Sequence, residues 1–169
     1  MVVLTTPRLQ LRGPVPRDLD AMFATYSDPG AMKYWSTEPH ATADITQELL
    51  DRRIAAWQVA PLNFQITMGD QYIGNAGNFR HDEIGFMLHP DYWRQGILTE
   101  AMGAIIPYLF ANTDHARLTA DADPENHASC GLLRSLGFAE THRARNTFCI
   151  NGVWSDSVYF ALPRPATLR

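Results

Sequence analysis

Lysine is almost absent from this chain: Lys33 is the single one in 169 residues. The 14 basic residues are otherwise arginines, set against 18 acidic ones for a formal net charge of −4, and no Lys/Arg run occurs. A nucleic-acid groove needs clustered phosphate-neutralising cations, so this balance argues against such a partner. Cysteine is nearly as scarce. Cys130 and Cys149 form neither a metal-ligand spacing nor a disulfide framework, which points to small buried hydrophobes in a reducing compartment. Long apolar runs are lacking too. The stretch at 104–111 is too short to span a bilayer and holds Pro107, and the N-terminus has no signal-peptide core. The expectation is a cytoplasmic protein with no membrane contact.

What is present is an ordinary globular composition, 46% hydrophobic and 19% charged. It suits one domain over residues 1–169, with 163–169 as a C-terminal tail. Arg8-Leu9-Gln10-Leu11-Arg12 alternates as a first strand, and Leu19, Met22, Phe23 and Tyr26 then recur at helical spacing after Pro16. Asp28-Pro29-Gly30 reads as a stop. Thr42 is placed to cap a second helix carrying Ile45, Leu49, Leu50, Ile54 and Trp57. The period then changes to strands at 64–68, 72–79 and 83–88, a meander with a Gly69-Asp70 turn. A helix from Gly96 follows, in which Pro107 should cause a kink or an end. A strand at 117–123 leads to a helix capped by Asn126 and stopped by Gly137. Strands at 147–150 and 153–162 close the chain around the Asn151-Gly152 hairpin signal, and Pro163 and Pro165 mark an unstructured end.

The segment with most chemical content is Tyr92-Trp93-Arg94-Gln95-Gly96-Ile97-Leu98-Thr99-Glu100-Ala101-Met102. Here a strand runs through a basic, amide-rich turn straight into a helix. Backbone N–H groups at a helix N-terminus, with the partial positive charge of the macrodipole, suit a phosphorylated cofactor. A nucleotide P-loop is disfavoured, because no Gly-Lys-Ser/Thr follows.

This turn has company elsewhere in the chain. Thr6-Pro7-Arg8-Leu9-Gln10-Leu11-Arg12, Ser27-Asp28-Pro29, Ile73-Gly74-Asn75-Ala76-Gly77, Glu83-Ile84-Gly85-Phe86, Asn126-His127-Ala128-Ser129 and Leu136-Gly137-Phe138 stand in order around it. Taken together, the chain resembles the GNAT superfamily of acetyl-CoA-dependent N-acetyltransferases, and more narrowly the branch of ribosomal-protein N-terminal acetyltransferases. The resemblance implies an α+β fold: a mixed, mostly antiparallel sheet of about seven strands flanked by about four helices. It implies that the pyrophosphate of acetyl-CoA lies on the amides of Arg94, Gln95, Gly96, Ile97, Leu98 and Thr99. The pantetheine arm would pair with the main chain around Phe86, Met87 and Leu88, and an N–H near Leu88 would polarise the thioester carbonyl. Asn126 would hold the arm near its sulfur end.

The catalytic residues are less plainly written. Many relatives carry a tyrosine seven residues after the asparagine to protonate the departing thiolate; here that position is Leu133. Ser129 is the substitute for this role. Glu83 reads either as a cross-strand partner or as a base acting through water, with His40, Asp44, Glu48 and Asp156 as lesser candidates. Cys130 is a poor covalent nucleophile, having no assignable activating histidine. His81, Asp82 and Glu83 are consecutive and cannot all face one ion, so no metal site is expected.

The expected reaction is direct attack of an amine on the thioester in a ternary complex. At pH 7 about a tenth of an α-amine of pKa near 8 is neutral, against about one in a few thousand for lysine. This favours a protein N-terminal α-amine or a small-molecule amine. Acceptor recognition should come from residues 34–40 and the last hairpin. Loss of the tyrosine also leaves open a non-catalytic acyl-CoA sensor or interaction module. Oligomeric state, a homodimer being one option, is not legible.

Overall fold

The computed structural model describes residues 3–166. Eight strands form one sheet in the order β1-β2-β3-β4-β5-β6-β8-β7. These are β1 Val3–Thr5, β2 Gln10–Arg12, β3 Asn63–Met68, β4 Gln71–Arg80, β5 Glu83–Leu88, β6 Arg117–Ala122, β7 Ala139–Ile150 and β8 Val153–Pro163. Five helices accompany them: α1 Leu19–Tyr26, α2 Pro29–Met32, α3 Ala43–Val59, α4 Ile97–Asn112 and α5 His127–Ser135. The β3-β4-β5 meander is antiparallel, as its alternation and turns require. Helix α5 is capped by the Asn126 side chain, which accepts from Ser129 N–H at 3.1 Å, and Gly137 ends it at φ +90°.

Two cores lie on opposite faces of the sheet. Ile84 and Leu88 of β5 point into the larger one, with Ile97, Met102 and Ile105 of α4 and Leu133 of α5. Met87 points the other way, joining Met22, Tyr26 and Leu50 beneath α1 and α3. Helices α1 to α3 therefore share one face, and α4 and α5 the other. Every second residue of β5 belongs to each side.

Several expectations need correction. A strand precedes the expected first one: the Thr6 hydroxyl accepts from Leu9 N–H at 3.1 Å, folding β1 back on β2. Asp28-Pro29-Gly30 ends α1 and also starts α2, because the Asp28 carboxylate accepts from Ala31 N–H at 2.7 Å with Pro29 in the first turn. Thr42 occupies the N-cap of α3 but makes no capping bond with its side chain. Pro107 does not end α4, which runs on to Asn112. The carbonyl that Pro107 leaves unbonded belongs to Gly103, and both residues are exposed, so water can reach it.

The last two corrections concern the chain's end. Strand β7 starts at Ala139, eight residues earlier than its apolar pattern shows. Pro163 closes β8, and Arg164 is anchored rather than loose. Its guanidinium donates to the carbonyls of Phe110 (2.5 Å), Thr113 (2.5 Å) and His115 (2.8 Å), closing the C-terminal end of α4. Cations are favoured there by the macrodipole. Arg164→Ala should cost about 2 kcal/mol, and calorimetry should show Tm lower by about 4–8 °C. Residues 167–169 of the expected tail lie outside the described residues.

Candidate active site

Strands β5 and β6 are the only parallel neighbours in the described sheet, and they share a single register pair, Glu83↔Thr119. Thr119 N–H reaches Asp82 C=O at 2.8 Å at that junction. From Ile84 onward β5 pairs with β4 alone. His89 N–H bonds to Ile73 C=O of β4 at 2.9 Å. By the alternation of an antiparallel ladder, Met87 and Gly85 also turn their main-chain groups to β4. Those of Leu88, Phe86 and Ile84 therefore face the gap. Of the three residues expected to pair with the cofactor arm, Phe86 and Leu88 are oriented for it, and Met87 is not. The indole N–H of Trp93 takes the Leu88 carbonyl at 2.8 Å, which leaves the Leu88 N–H as the unclaimed donor.

At the open end of this gap stands the turn. Arg94 and Gly96 adopt left-handed conformations, φ +59° and +71°, and residues 93–96 are exposed. The first helical bond of α4 runs from Glu100 N–H to Gly96 C=O at 3.0 Å. The N–H groups of Ile97, Leu98 and Thr99 consequently have no intrahelical acceptor. Two further bonds brace the turn. Gln95 donates to Asp91 C=O at 2.9 Å, and Arg8 donates to Gln95 C=O at 2.9 Å. Arg8 also pairs with Glu100 at 2.6 Å. The Thr6 hydroxyl, together with Arg8, holds the Glu100 carboxyl below the usual carboxylate range. The Thr6-Pro7-Arg8 motif is thus the strut that ties β1 and β2 to the turn.

The opposite face of β5 and β6 offers carboxylates. Glu83 is held by Arg80 at 3.2 Å, the cross-strand arrangement that competed with its role as a base. Asp121, two residues beyond Thr119 on the same face, reads in the sequence only as part of an alternating strand. Its Oδ1 is buried without a partner. Burial holds the Asp121 carboxyl above the usual range; the Ser157 hydroxyl opposes this and the Glu83 charge reinforces it. Among the lesser candidates, Glu48 faces Arg52 at 3.9 Å, Asp156 accepts from Asn146 N–H at 3.0 Å, and Asp44 sits in the first turn of α3.

Leu133 is packed in the core and has no proton to give. Ser129 is half-buried in the first turn of α5; its capping bond runs through the backbone N–H and leaves the hydroxyl out. Burial raises the Cys130 thiol, which keeps it protonated and unreactive. Asp82 is bound by the Thr119 hydroxyl and Arg117 while Glu83 turns to Arg80, so these neighbours diverge. Among the described residues no group of three or more His, Cys, Asp or Glu is placed to hold a metal ion, and no helix is long and apolar enough to cross a membrane.

The segment between α2 and α3 roofs this face. Tyr34 donates to Glu125 C=O at 3.2 Å, and Glu38 accepts from Asn151 of the β7–β8 turn. The two segments expected to recognise the acceptor therefore meet. Beneath them lies a cleft of about 440 Å³ lined by Tyr26, Trp35, His40, Ile45, Arg53 and Phe79, among others. Trp35 meets Phe79 edge to face at 5.9 Å, and Phe79 lies against Gly85 of β5, so the cleft adjoins the cofactor strand.

Comparison with known proteins identifies the family. Residues 8–139 match the family described as Acetyltransferase (GNAT) domain. The chain is 30% identical over 172 aligned residues to the uncharacterized N-acetyltransferase p20 of Bacillus licheniformis, covering 96% of each protein. It is 32% identical over 89 residues to the [ribosomal protein uS5]-alanine N-acetyltransferase of Escherichia coli, covering 53% of this chain and 46% of that one. RimL, a ribosomal L7/L12 α-N-protein acetyltransferase solved with coenzyme A, superimposes with a TM-score of 0.83 at 17% identity, covering 96% and 98%.

Proposed function

The chain belongs to the GNAT acetyltransferase family and is an acetyl-CoA-dependent N-acetyltransferase; from that premise we propose how residues 1–169 work as one catalytic domain. The carrying observation is the gap that opens from the single Glu83↔Thr119 pair towards the bare N–H groups of residues 97–99. Pyrophosphate oxygens bind the turn at residues 94–99, and Gly96 lets the backbone approach them without a side chain in the way. The pantetheine arm lies in the gap as an added strand against Phe86 and Leu88, with Asn126 across from it. Asn126 spends its side-chain oxygen on the cap and keeps its amide donors for this contact.

The acceptor is a primary amine entering from the roofed face, either a protein N-terminal α-amine or a small-molecule amine. Its neutral nitrogen attacks the thioester carbonyl. Leu88 N–H stabilises the developing oxyanion. Asp121 takes the amine proton, directly or through water; a base with a raised pKa is better matched to neutral pH. Glu83 contributes charge rather than proton transfer. As the C–S bond breaks, Ser129 in the first turn of α5 supplies a proton to the thiolate.

Incubating the protein with acetyl-CoA and a panel of small amines and N-terminal peptides, with free thiol as readout, tests this. Turnover of α-amines well above lysine side chains is expected. Acetyl-CoA binding with no turnover on any amine would replace the catalytic reading with that of an acyl-CoA sensor. Absence of binding would overturn both.

A further inference from the structure

The floor of the acceptor cleft holds an arginine without a counter-ion. Arg53 reaches inward from α3 and donates to Asn75 Oδ1 at 3.0 Å and to the Tyr26 hydroxyl at 2.6 Å. Tyr26 and Tyr72 also donate to Asn75 Oδ1, at 2.9 and 3.1 Å. Tyr26, Tyr72 and Asn75 are buried, and none of them is a carboxylate. Among the described residues, no carboxylate lies within ion-pair distance of Arg53, and the Tyr72 hydroxyl stands beside the guanidinium as a further neighbour rather than a counter-ion. The guanidinium has five donors in a fixed fork. Two are taken here, and the residue lines the cleft.

Arg53 is half-buried, and an arginine drawn this far from water is normally paired, because desolvating a cation among neutral groups is costly. The Tyr26 ring, 5.3 Å from the guanidinium, offsets only part of that cost. The acids of the cleft are engaged elsewhere: Glu38 with Asn151, and the well-exposed Glu48 with Arg52. Both carboxylates are exposed, so the charge at the floor itself is that of Arg53. His40, stacked on Tyr26 at 5.1 Å, feels this: its pKa is lowered by burial and then by Arg53 and Arg52.

Resting on the proposed function, we infer that the acceptor is a small amine carrying an anionic oxygen group, a carboxylate or a phosphate, which Arg53 receives at the floor of the cleft. Trp35 and Phe79 supply apolar walls for the body of the molecule. The amine end then projects along Phe79 towards Gly85 and β5. A volume of about 440 Å³ is within the small-molecule range.

The test compares amines with and without an anionic group, each rate referred to the neutral-amine fraction at the assay pH: phenylalanine with phenylalaninamide, and phosphoethanolamine with ethanolamine. In wild-type protein the anionic member of at least one pair should have kcat/KM about 10- to 100-fold higher. Whichever pair shows the preference distinguishes carboxylate from phosphate. In Arg53→Gln the ratio should collapse towards one, and Arg53→Lys should restore part of it. A wild-type ratio near or below one in both pairs overturns the inference, as does a ratio that persists in Arg53→Gln. If that variant does not fold, the wild-type ratio and its suppression by free acetate or phosphate decide. If no amine is acetylated, the proposed function fails separately. Calorimetric binding of N-acetylphenylalanine against its amide, to the protein loaded with coenzyme A, then reads the anion preference without turnover. Equal binding, or none, overturns it.

Discussion

Gly96→Glu is expected to cut acetyl-CoA affinity severely, and Gly96→Ala to weaken it far less. Gly96 has φ +71°, and a Cβ there would meet only the Arg8 guanidinium, at an ordinary 3.7 Å. Space is therefore not the obstacle within the protein. A side chain in this left-handed conformation costs about 1–2 kcal/mol, so both variants should melt a few degrees lower, about 2–4 °C per kcal/mol in a chain this size. Alanine carries that conformational cost alone. Glutamate adds a negative charge beside the unbonded N–H groups of residues 97–99, where the pyrophosphate is proposed to sit. Like charges at such distance cost several kcal/mol, so calorimetry should show affinity reduced by about 100-fold or more. A Gly96→Glu protein binding acetyl-CoA as well as Gly96→Ala does would move the pyrophosphate elsewhere.

Asp121→Asn is expected to lower kcat by about 10²- to 10⁴-fold, the usual yield of a positioned base, with acetyl-CoA affinity unchanged. Wild-type kcat/KM should also fall as pH drops through the raised Asp121 value, because only the carboxylate can accept a proton. The same shift fixes the sign of a stability effect. The folded protein holds the proton more tightly than the unfolded chain does. Stability from this group is therefore fullest below the ordinary aspartate pKa of about 4 and is lost as pH rises through the folded value. Asparagine removes that loss. The variant should melt higher than wild type at pH 7, and the advantage should vanish below about pH 4. Undiminished turnover in Asp121→Asn would return the base to Glu83 or to water.

Legibility in the sequence followed how local each signal was. Alternation wrote the β3-β4-β5 meander, Asn126 and Gly137 wrote both ends of α5, and Asn151-Gly152 wrote the last turn, with positive φ at both residues. Strand β7 was hidden at residues 139–146, because this stretch is polar and largely exposed at a sheet edge. Its strand character comes from pairing with β8. The turn at 94–99 could be located from sequence. The different orientations of Phe86 and Met87 could not, since they depend on which edge of β5 takes β4. Arg53 did leave a trace. It stands between Leu50 and Trp57 on the helical stripe of α3, at a position where an apolar residue belongs. Its partners Tyr26 and Asn75 lie 27 and 22 residues away, so only the fold shows what that exception means. Asp121 left no comparable mark, because a polar residue on one face of a strand is ordinary.

The single bridge between β5 and β6 bears on how the enzyme would behave in a cell. On the proposed placement, the gap and its turn grip the pyrophosphate and pantetheine, the parts that transfer leaves unchanged. Spent coenzyme A therefore competes for the same seat as the fresh donor, with only the acetyl group to tell them apart. Flux would then follow the ratio of acetylated to free coenzyme rather than the donor concentration alone, making the rate a gauge of how heavily the coenzyme pool is charged.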